Sequence, residues 1–366
     1  MKNDLLIDHQ GGAAQSAEDF AEDEVIVGTR GSALALWQTE AVIKLLRARH
    51  PDAHFSMQTI KTQGDKTQAL AIPLTQLGDK GVFVAELERA LLAGDLHIAV
   101  EPLNDVMLVE RERQDMQARQ AIDAAVHSLK DLPGQLATGL TLAAITERAD
   151  ARDVLISREG DTLARLPQGA RVATSSLRRR AQLLHQRPDL QIVEIRGNID
   201  TRLRKALSPD GPDALILAAA GLERLGLSEY ITEYLPLEVM LPAAGQGALA
   251  VEVRAADERL VRLVAAADHA PTRRAVTAER ALLDVLGGGC QVPIGVYASV
   301  EDEGESQHLL LRAMVASLDG ARLLRREARG PLDAPEELGG TVAQALLAAG
   351  AGALLAESRA GTTGCA

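Results

Sequence analysis

Aromatic residues make up only 2% of this 366-residue chain, so its cores have to be built from Leu, Ala, Val and Ile, and base-stacking platforms for single-stranded nucleic acid are not expected. Cysteine is scarcer still. Cys290 and Cys365 are the two present, too few and too far apart for a disulfide scaffold or a four-cysteine zinc module, and a reducing, cytoplasmic setting is the default expectation. Long apolar runs are missing: the most apolar stretch, ALILAAAGL from Ala214, is cut by Glu223 and Arg224, short of the roughly 18 residues a membrane span needs. The opening residues, with AEDFAEDE near their end, lack a basic start followed by an apolar run. They read as neither a secretory signal nor a transit peptide, and residues 1–23 are expected to form a disordered acidic tail. Positive charge is in deficit, with 39 Lys and Arg against 51 Asp and Glu and a net charge of −12, which opposes a surface that grips nucleic acid or anionic membrane. Any anion site has to be a local concentration of charge. The eight histidines show no metal-binding spacing with a third ligand, so no metal site is expected.

From Val25 onward, short β-branched runs alternate with amphipathic stretches, the pattern of βα units and mainly parallel sheets. A strand is predicted at 25–27 and a turn at 28–31. Ser32 then caps a helix whose Leu34, Trp37, Ala41 and Leu45 fall on one face, so Trp37 is expected in the core. A second helix is predicted over about 84–92, followed by a strand in HIAV at 97–100. Three strand-helix units come next: 171–173 with a helix from Ser176, 191–195 with a helix from about Ile199, and 214–217 with a helix at 220–225. The turn AAGQGALA leads into a strand at 248–253. The last hundred residues differ in kind: VYASV, LLLRAMVAS and an Ala/Leu-rich helix near 335–348 predict a small antiparallel sheet with helices on one face. The predicted fold class is therefore α/β followed by a small α+β unit. One internal echo stands out, with HIAVEPLNDV from His97 matching DAAVHSLKDL from Asp123 at an offset of 26. It reads as a local duplication with a charged, solvated segment between the copies.

Three groups of residues can carry chemistry. Between Arg171 and Lys205 there are nine cations and three acids, a segment of net +6 inside a −12 chain. On its own, the run Arg178-Arg179-Arg180 reads as a solvated helix face. TSSLRRR and IRGNIDTR, however, each lie where a strand passes into a helix, so Ser175, Ser176, Arg196, Arg202 and free backbone amides gather at two strand ends of one sheet, a cleft suited to carboxylates or phosphates. The second group is HSLKDLP, read as a strand ending at Pro133, which brings His127, Ser128, Lys130 and Asp131 to a strand's C-terminal edge, with Asp131 the acid/base or cation-stabilising candidate. Taken alone, a Lys-Asp pair also reads as a surface salt bridge and His127 as a packed or capping histidine. The third group is LGGGCQVP, whose glycines hold the Cys290 thiol on a loop, suiting a nucleophile or an attachment point; a lone cysteine also reads as a small buried hydrophobe.

In order along the chain, GTRGSALALWQ, KTQGD, GDKGVFVAELE, HSLKDLP, TSSLRRR, IRGNIDTRL, LAAAGLERLG, LPAAGQGALA, VTAERA and LGGGCQVPIG make the sequence similar to the hydroxymethylbilane synthase (porphobilinogen deaminase) family. The resemblance implies two doubly wound, periplasmic-binding-protein-like domains plus a small α+β C-terminal domain. Its boundaries are 24–147 with about 246–266 for domain 1, 148–245 for domain 2 and 267–366 for domain 3. It implies a cofactor, dipyrromethane, joined through a thioether to Cys290 and contacted by Arg30, Ser32, Ser128, Lys130, Ser176, Arg178, Arg179 and Arg202. Arg30, Arg196, Arg202, Arg224, Lys80, Phe83 and His127 correspond to substrate-binding positions, and Asp131 to the catalytic aspartate, whose carboxylate stabilises the cation left when ammonia departs. The implied substrate, porphobilinogen, brings an acetate and a propionate on every ring, and a growing chain of such rings needs an arginine-rich cleft, which accounts for the +6 segment. A monomer with no nucleic-acid or membrane partner, working in porphyrin biosynthesis, is the corresponding expectation. The sequence departs from the family pattern at the echo. Only the copy at 123–131 supplies His127, Ser128 and Lys130, so that copy is expected in the sheet, with an insertion near 97–122. On the residues alone, a two-lobed anion-binding protein, an inactive relative, or a thiol enzyme using Cys290 and His127 are the alternatives.

Overall fold

The computed structural model describes residues 24–62, 84–93, 121–288, 292–304 and 306–363. The acidic segment 1–23, the first copy of the echo at 97–105, Lys80, Phe83, Cys290 and Cys365 lie outside the described residues.

The first sheet begins with β1 (Glu24–Thr29), which pairs in parallel with β2 (His54–Thr59) on one side and β3 (Ala124–Ser128) on the other. Thus 124–128, the second copy of the echo, sits in the sheet. β10 (Leu249–Arg254) runs antiparallel between β3 and β4 (Leu140–Ile145), giving the order β2-β1-β3-β10-β4. The second sheet repeats the arrangement with β6 (Arg171–Ala173), β7 (Gln191–Val193) and β8 (Ala214–Ala218) parallel, and with β5 (Asp153–Ser157) antiparallel to both β8 and β9 (Glu233–Tyr234). Its order is β7-β6-β8-β5-β9. In each sheet the antiparallel strand is the one that arrives from the other lobe: β5 follows β4, and β10 follows β9. Two crossovers, 146–152 and 235–248, therefore join the lobes, and the sheets are mixed rather than mainly parallel.

Helix α1 (Ala33–Arg49) starts where Ser32 accepts from the Ala35 amide, satisfying one of the free donors of the first turn. Its most buried stripe is Gln38, Thr39, Val42, Ile43 and Leu46; of the predicted Leu34, Trp37, Ala41 and Leu45, Leu45 packs partly buried against the same core, whereas Trp37 is 41% exposed. The correction has a physical cause. Two of the inward positions are polar because Gln38 reaches a hydroxyl on β3, so hydrophobic periodicity alone places the stripe one residue early. Helix α2 (Ala85–Ala93) buries Leu87, Ala90 and Leu91 under the same sheet. In the second lobe α3 (Leu177–Gln186), α4 (Ile199–Ala206) and α5 (Ala219–Arg224) each follow a parallel strand. Helix α6 (Glu258–Ala265) packs Leu260, Leu263 and Val264 back onto the first sheet.

The third unit is an antiparallel sheet of β11 (Ile294–Glu303), β12 (Ser306–Ala316) and β13 (Leu323–Gly330). One face is covered by α7 (Ala270–Leu286), α8 (Pro335–Ala348) and α9 (Ala351–Thr363), through Leu282, Val342, Leu346 and Leu354. Met314 and Ala316 on the other face meet Ala181 of α3 and Leu241 of the second crossover. Among the described residues no single helix is long and apolar enough to cross a membrane. The bent pair α8 and α9 passes on composition and spends its apolar side on this core.

Candidate active site

The site is built outward from β3. Its residues alternate between faces, as a strand requires: Ala124 and Val126 join the core under α1, while Ala125 joins the core under α2. His127 therefore points with Ala125 into the interior, where it is 5% exposed and its Nε2 lies 3.0 Å from Oε2 of the fully buried Glu252. It does not line the cleft as the sequence predicts. Ser128 points the other way and accepts a 2.9 Å hydrogen bond from Gln38 Nε2. The strand ends there, five residues before Pro133, and gives way to a single 3-10 turn, Leu129–Asp131. This turn is held by Leu129 N donating to Ala248 O and by the Leu129 side chain lying against Gly245, where a Cβ would come within 2.7 Å of Leu129 Cγ and where φ is +69°. Lys130 reaches across to Gln246 Oε1 at 3.4 Å. Asp131 is exposed at the end of the turn, and its carboxylate makes no hydrogen bond or ion pair with the described residues.

Arg178 and Arg179 face inward from α3 and are nearly buried, so the solvated-face reading fails for them, while Arg180 is exposed. Their partner is Asp153 at the head of β5, wholly buried, with Arg178 Nη1 at 2.6 Å and Arg179 Nη2 at 2.8 Å. Burial alone would raise the Asp153 carboxyl; the two guanidiniums instead hold it well below the usual carboxylate range. Arg178 also donates to Leu241 O, Arg179 to Ile216 O, and Gln246 Nε2 to Asp153 and Ala151 O. The arginine run is thus the anchor that fastens both crossovers to the second lobe. Asp153 takes Nη1 of Arg178 and Nε and Nη2 of Arg179, so both side chains are anchored from the side of the buried carboxylate. Asp153, Gln246, Gln38 and Glu252 were not picked out from the sequence. The one available signal was an Asp heading the otherwise apolar run VLI, a charge that only a buried partner could offset.

Cations from both lobes lie near Asp131. Lys130 is half-buried, and removal from water, with Arg179 and Arg178 nearby, brings its ammonium down to about 8 against the pull of Asp131 and Asp153. Across from it, Arg202 on α4 is brought down to about 10 by burial and by Arg179 and Arg196, with Asp131 acting in the opposite sense. Its Nε donates to Gly197 O. Arg224 at the end of α5, also lowered to about 10 by burial, donates to Gly247 O at 2.6 Å and lies 5.8 Å from the centre of the Trp37 ring. Arg196 meets Glu194 at 3.3 Å, and Ser176 caps α3 by accepting from the Arg179 amide. Arg30 and Ser32 stand at the C-terminal end of β1, where α1 begins. The turn bearing Asp131 continues to Pro133 and Gly134, whose carbonyls accept from Arg280 of α7. That helix ends in a left-handed cap at Gly287, three residues before Cys290. This donor set suits a ligand with many carboxylates: several cations are held partly out of water, where anionic groups would offset their repulsion. It also fits a dipyrromethane, whose rings carry such carboxylates. Among the described residues no group of three or more His, Cys, Asp or Glu can hold a metal ion.

The sequence matches the family model described as porphobilinogen deaminase, dipyromethane cofactor binding domain, over residues 25–120 and 110–262, and the porphobilinogen deaminase C-terminal domain over 273–348. Curated relatives include the porphobilinogen deaminases of Desulforudis audaxviator, 49% identical over 92% of this chain and 99% of its own length, and of Moorella thermoacetica, 48% identical over 92% and 97%. That of Brevibacillus brevis is 49% identical over 90% of this chain and 96% of its own. With the family models on both parts of the chain and relatives of this identity along nearly its whole length, the chain belongs to the porphobilinogen deaminase family.

Proposed function

We propose that this chain condenses four porphobilinogen molecules head to tail on a dipyrromethane carried by Cys290 and releases the linear tetrapyrrole hydroxymethylbilane by hydrolysis. The activity is that of a transferase in tetrapyrrole biosynthesis. The observation that carries the assignment of roles is Asp131, an exposed carboxylate with its own turn pinned in place, ringed by Lys130 from one lobe and Arg202 from the other. When bound, the dipyrromethane supplies the free pyrrole α-carbon on which the chain is built. Lys130, Arg202, Arg196, Arg224 and Arg30 hold side-chain carboxylates of the rings, with Ser32, Ser128 and Ser176 as hydroxyl donors. Asp131 accepts from the pyrrole N–H of the reacting ring and stabilises the positive charge that grows there as ammonia leaves, a charge an arginine would oppose. Arg178 and Arg179 act from behind, by fixing Asp153 and the crossovers; His127 acts from inside the sheet. Lys80 and Phe83 are proposed substrate contacts on the family pattern.

Domain limits of 24–147 with 246–266, 148–245 and 267–366 are proposed, supported by β10 pairing in the first sheet and by the antiparallel third unit. The segment near 97–122 is proposed to be an insertion, supported by the two overlapping matches that meet there. We also place the protein in the cytoplasm, in keeping with its low cysteine content, and propose a monomer on the family pattern. The deciding experiment is the intact mass of the purified protein beside its Cys290→Ser variant. An excess of two porphobilinogen-derived pyrroles, present in the parent and absent in the variant, is the expected result. Equal unmodified masses, unchanged after incubation with porphobilinogen, would sink the assignment.

A further inference from the structure

Glu252 occupies a position that packing alone would give to an apolar side chain. In the register of the first sheet it lies between Ala125 of β3 and Leu142 of β4, it is 0% exposed, and one of its oxygens, Oε1, is buried without a hydrogen-bond partner among the described residues. Its other oxygen holds His127 Nε2 at 3.0 Å. A buried acceptor left half satisfied is costly, and a fold keeps one only where something else depends on it.

What depends on it is the turn that follows. Three consecutive residues of β3 and its turn are tied to three different parts of the molecule: His127 to Glu252 on one side of the sheet, Ser128 to the buried Gln38 of α1 on the other, and Leu129 to Ala248 and Gly245 of the second crossover. Asp131 comes two residues later and has no tie of its own among the described residues. Its carboxylate is therefore aimed by these upstream clamps.

We propose that Glu252 and Gln38 are positioning residues for Asp131, acting through His127 and Ser128 from opposite faces of β3. The proposal rests on the catalytic role given to Asp131 above. Removing either clamp lets the strand end rotate or slide, and a displacement on the order of 1 Å at a reacting group costs about 10²-fold in rate, while the carboxylate-binding arginines of the second lobe stay in place.

The test uses the full-length, cofactor-bearing protein and its Glu252→Gln and Gln38→Leu variants, each assayed per molecule of Ehrlich-reactive dipyrromethane. The expected result is a loss of kcat of about 10- to 100-fold with KM changed less than about threefold. Amide hydrogen exchange at Leu129 and Leu132 should quicken while Val27 on β1 keeps its protection. A merely structural role predicts the reverse pattern: a lower Tm or lower cofactor content, but unchanged kcat per loaded molecule and unchanged exchange at 129 and 132, and that result overturns the proposal. His127→Asn serves where Glu252→Gln does not fold, with the same two outcomes. An Ehrlich-negative parent that never consumes porphobilinogen would instead refute the proposed function, and so is distinguishable from failure of the clamp.

Discussion

Lys130 and Asp153 show how one cluster divides into a working part and a supporting part. Lys130 carries its proton only up to about pH 8 because it is partly withdrawn from water beside two guanidiniums. As pH rises through that value the cleft loses a positive charge, and affinity for a polycarboxylate falls. The kcat/KM profile, which reports groups of the free enzyme, should show an alkaline limb near 8 in the parent and none there in Lys130→Arg, whose guanidinium stays charged. Asp153 is a stability group. Asp153→Asn leaves two buried guanidiniums uncompensated and should cost about 3–5 kcal/mol in denaturant unfolding. Because its folded-state pKa is depressed, the stabilisation is present above the ordinary aspartate value of about 4 and disappears as pH falls below it. The gap between parent and variant should therefore close in acid.

At the scale of the element, the crossovers are the parts under closest steric control. Gly247 has φ +92°, and a Cβ there would lie 2.5 Å from Ala149 O, on the opposite crossover. Its carbonyl accepts from both the Ala149 amide and Arg224. The two strands of chain that join the lobes thus touch at a residue that also places a cleft cation. Gly247→Ala combines left-handed strain with a backbone clash and should destabilise by about 1–3 kcal/mol, visible as a lower Tm, with a raised KM because Arg224 is displaced. Elsewhere elements were legible in the sequence: the strand at 171–173 and the helix at 335–348 fall where apolar runs put them, and the strand predicted at 214–217 runs one residue further. The strand in HSLKDLP was read five residues too long, since only the third dimension shows that Leu129 leaves the sheet to dock against Gly245.

For the molecule as a whole, the duplicated segment poses a question of tolerance. Ile122 is buried at 1%, its amide donates to Ala90 O, and Asp123 bridges Ile26 and Arg254. Deleting residues 97–122 would join Leu96 to Asp123, putting one apolar residue in the place of another and keeping the Asp123 bonds. Such a shortened chain should fold with unchanged circular dichroism and keep its turnover of porphobilinogen. Loss of folding would show that the segment is an integral part of the first lobe.

Sequence by itself determined the chemistry in stock: a +6 stretch in an acidic chain, an aspartate beside a lysine, a cysteine among glycines, and alternating strands and helices followed by a small unit of a different kind. Those are properties of residue type and spacing, and they survive without a partner in view. Tertiary structure decided which charges are free to act. Arg178, Arg179 and His127 were read as lying open at a cleft, because composition cannot distinguish a polar side chain facing solvent from one held by a buried carboxylate. Asp153 and Glu252, 25 or more residues away in the chain, settle that difference. Trp37 turned outward for a related reason: a polar Gln38 had to take the inward place beside it, and the need for that hydrogen bond exists only once β3 lies alongside α1.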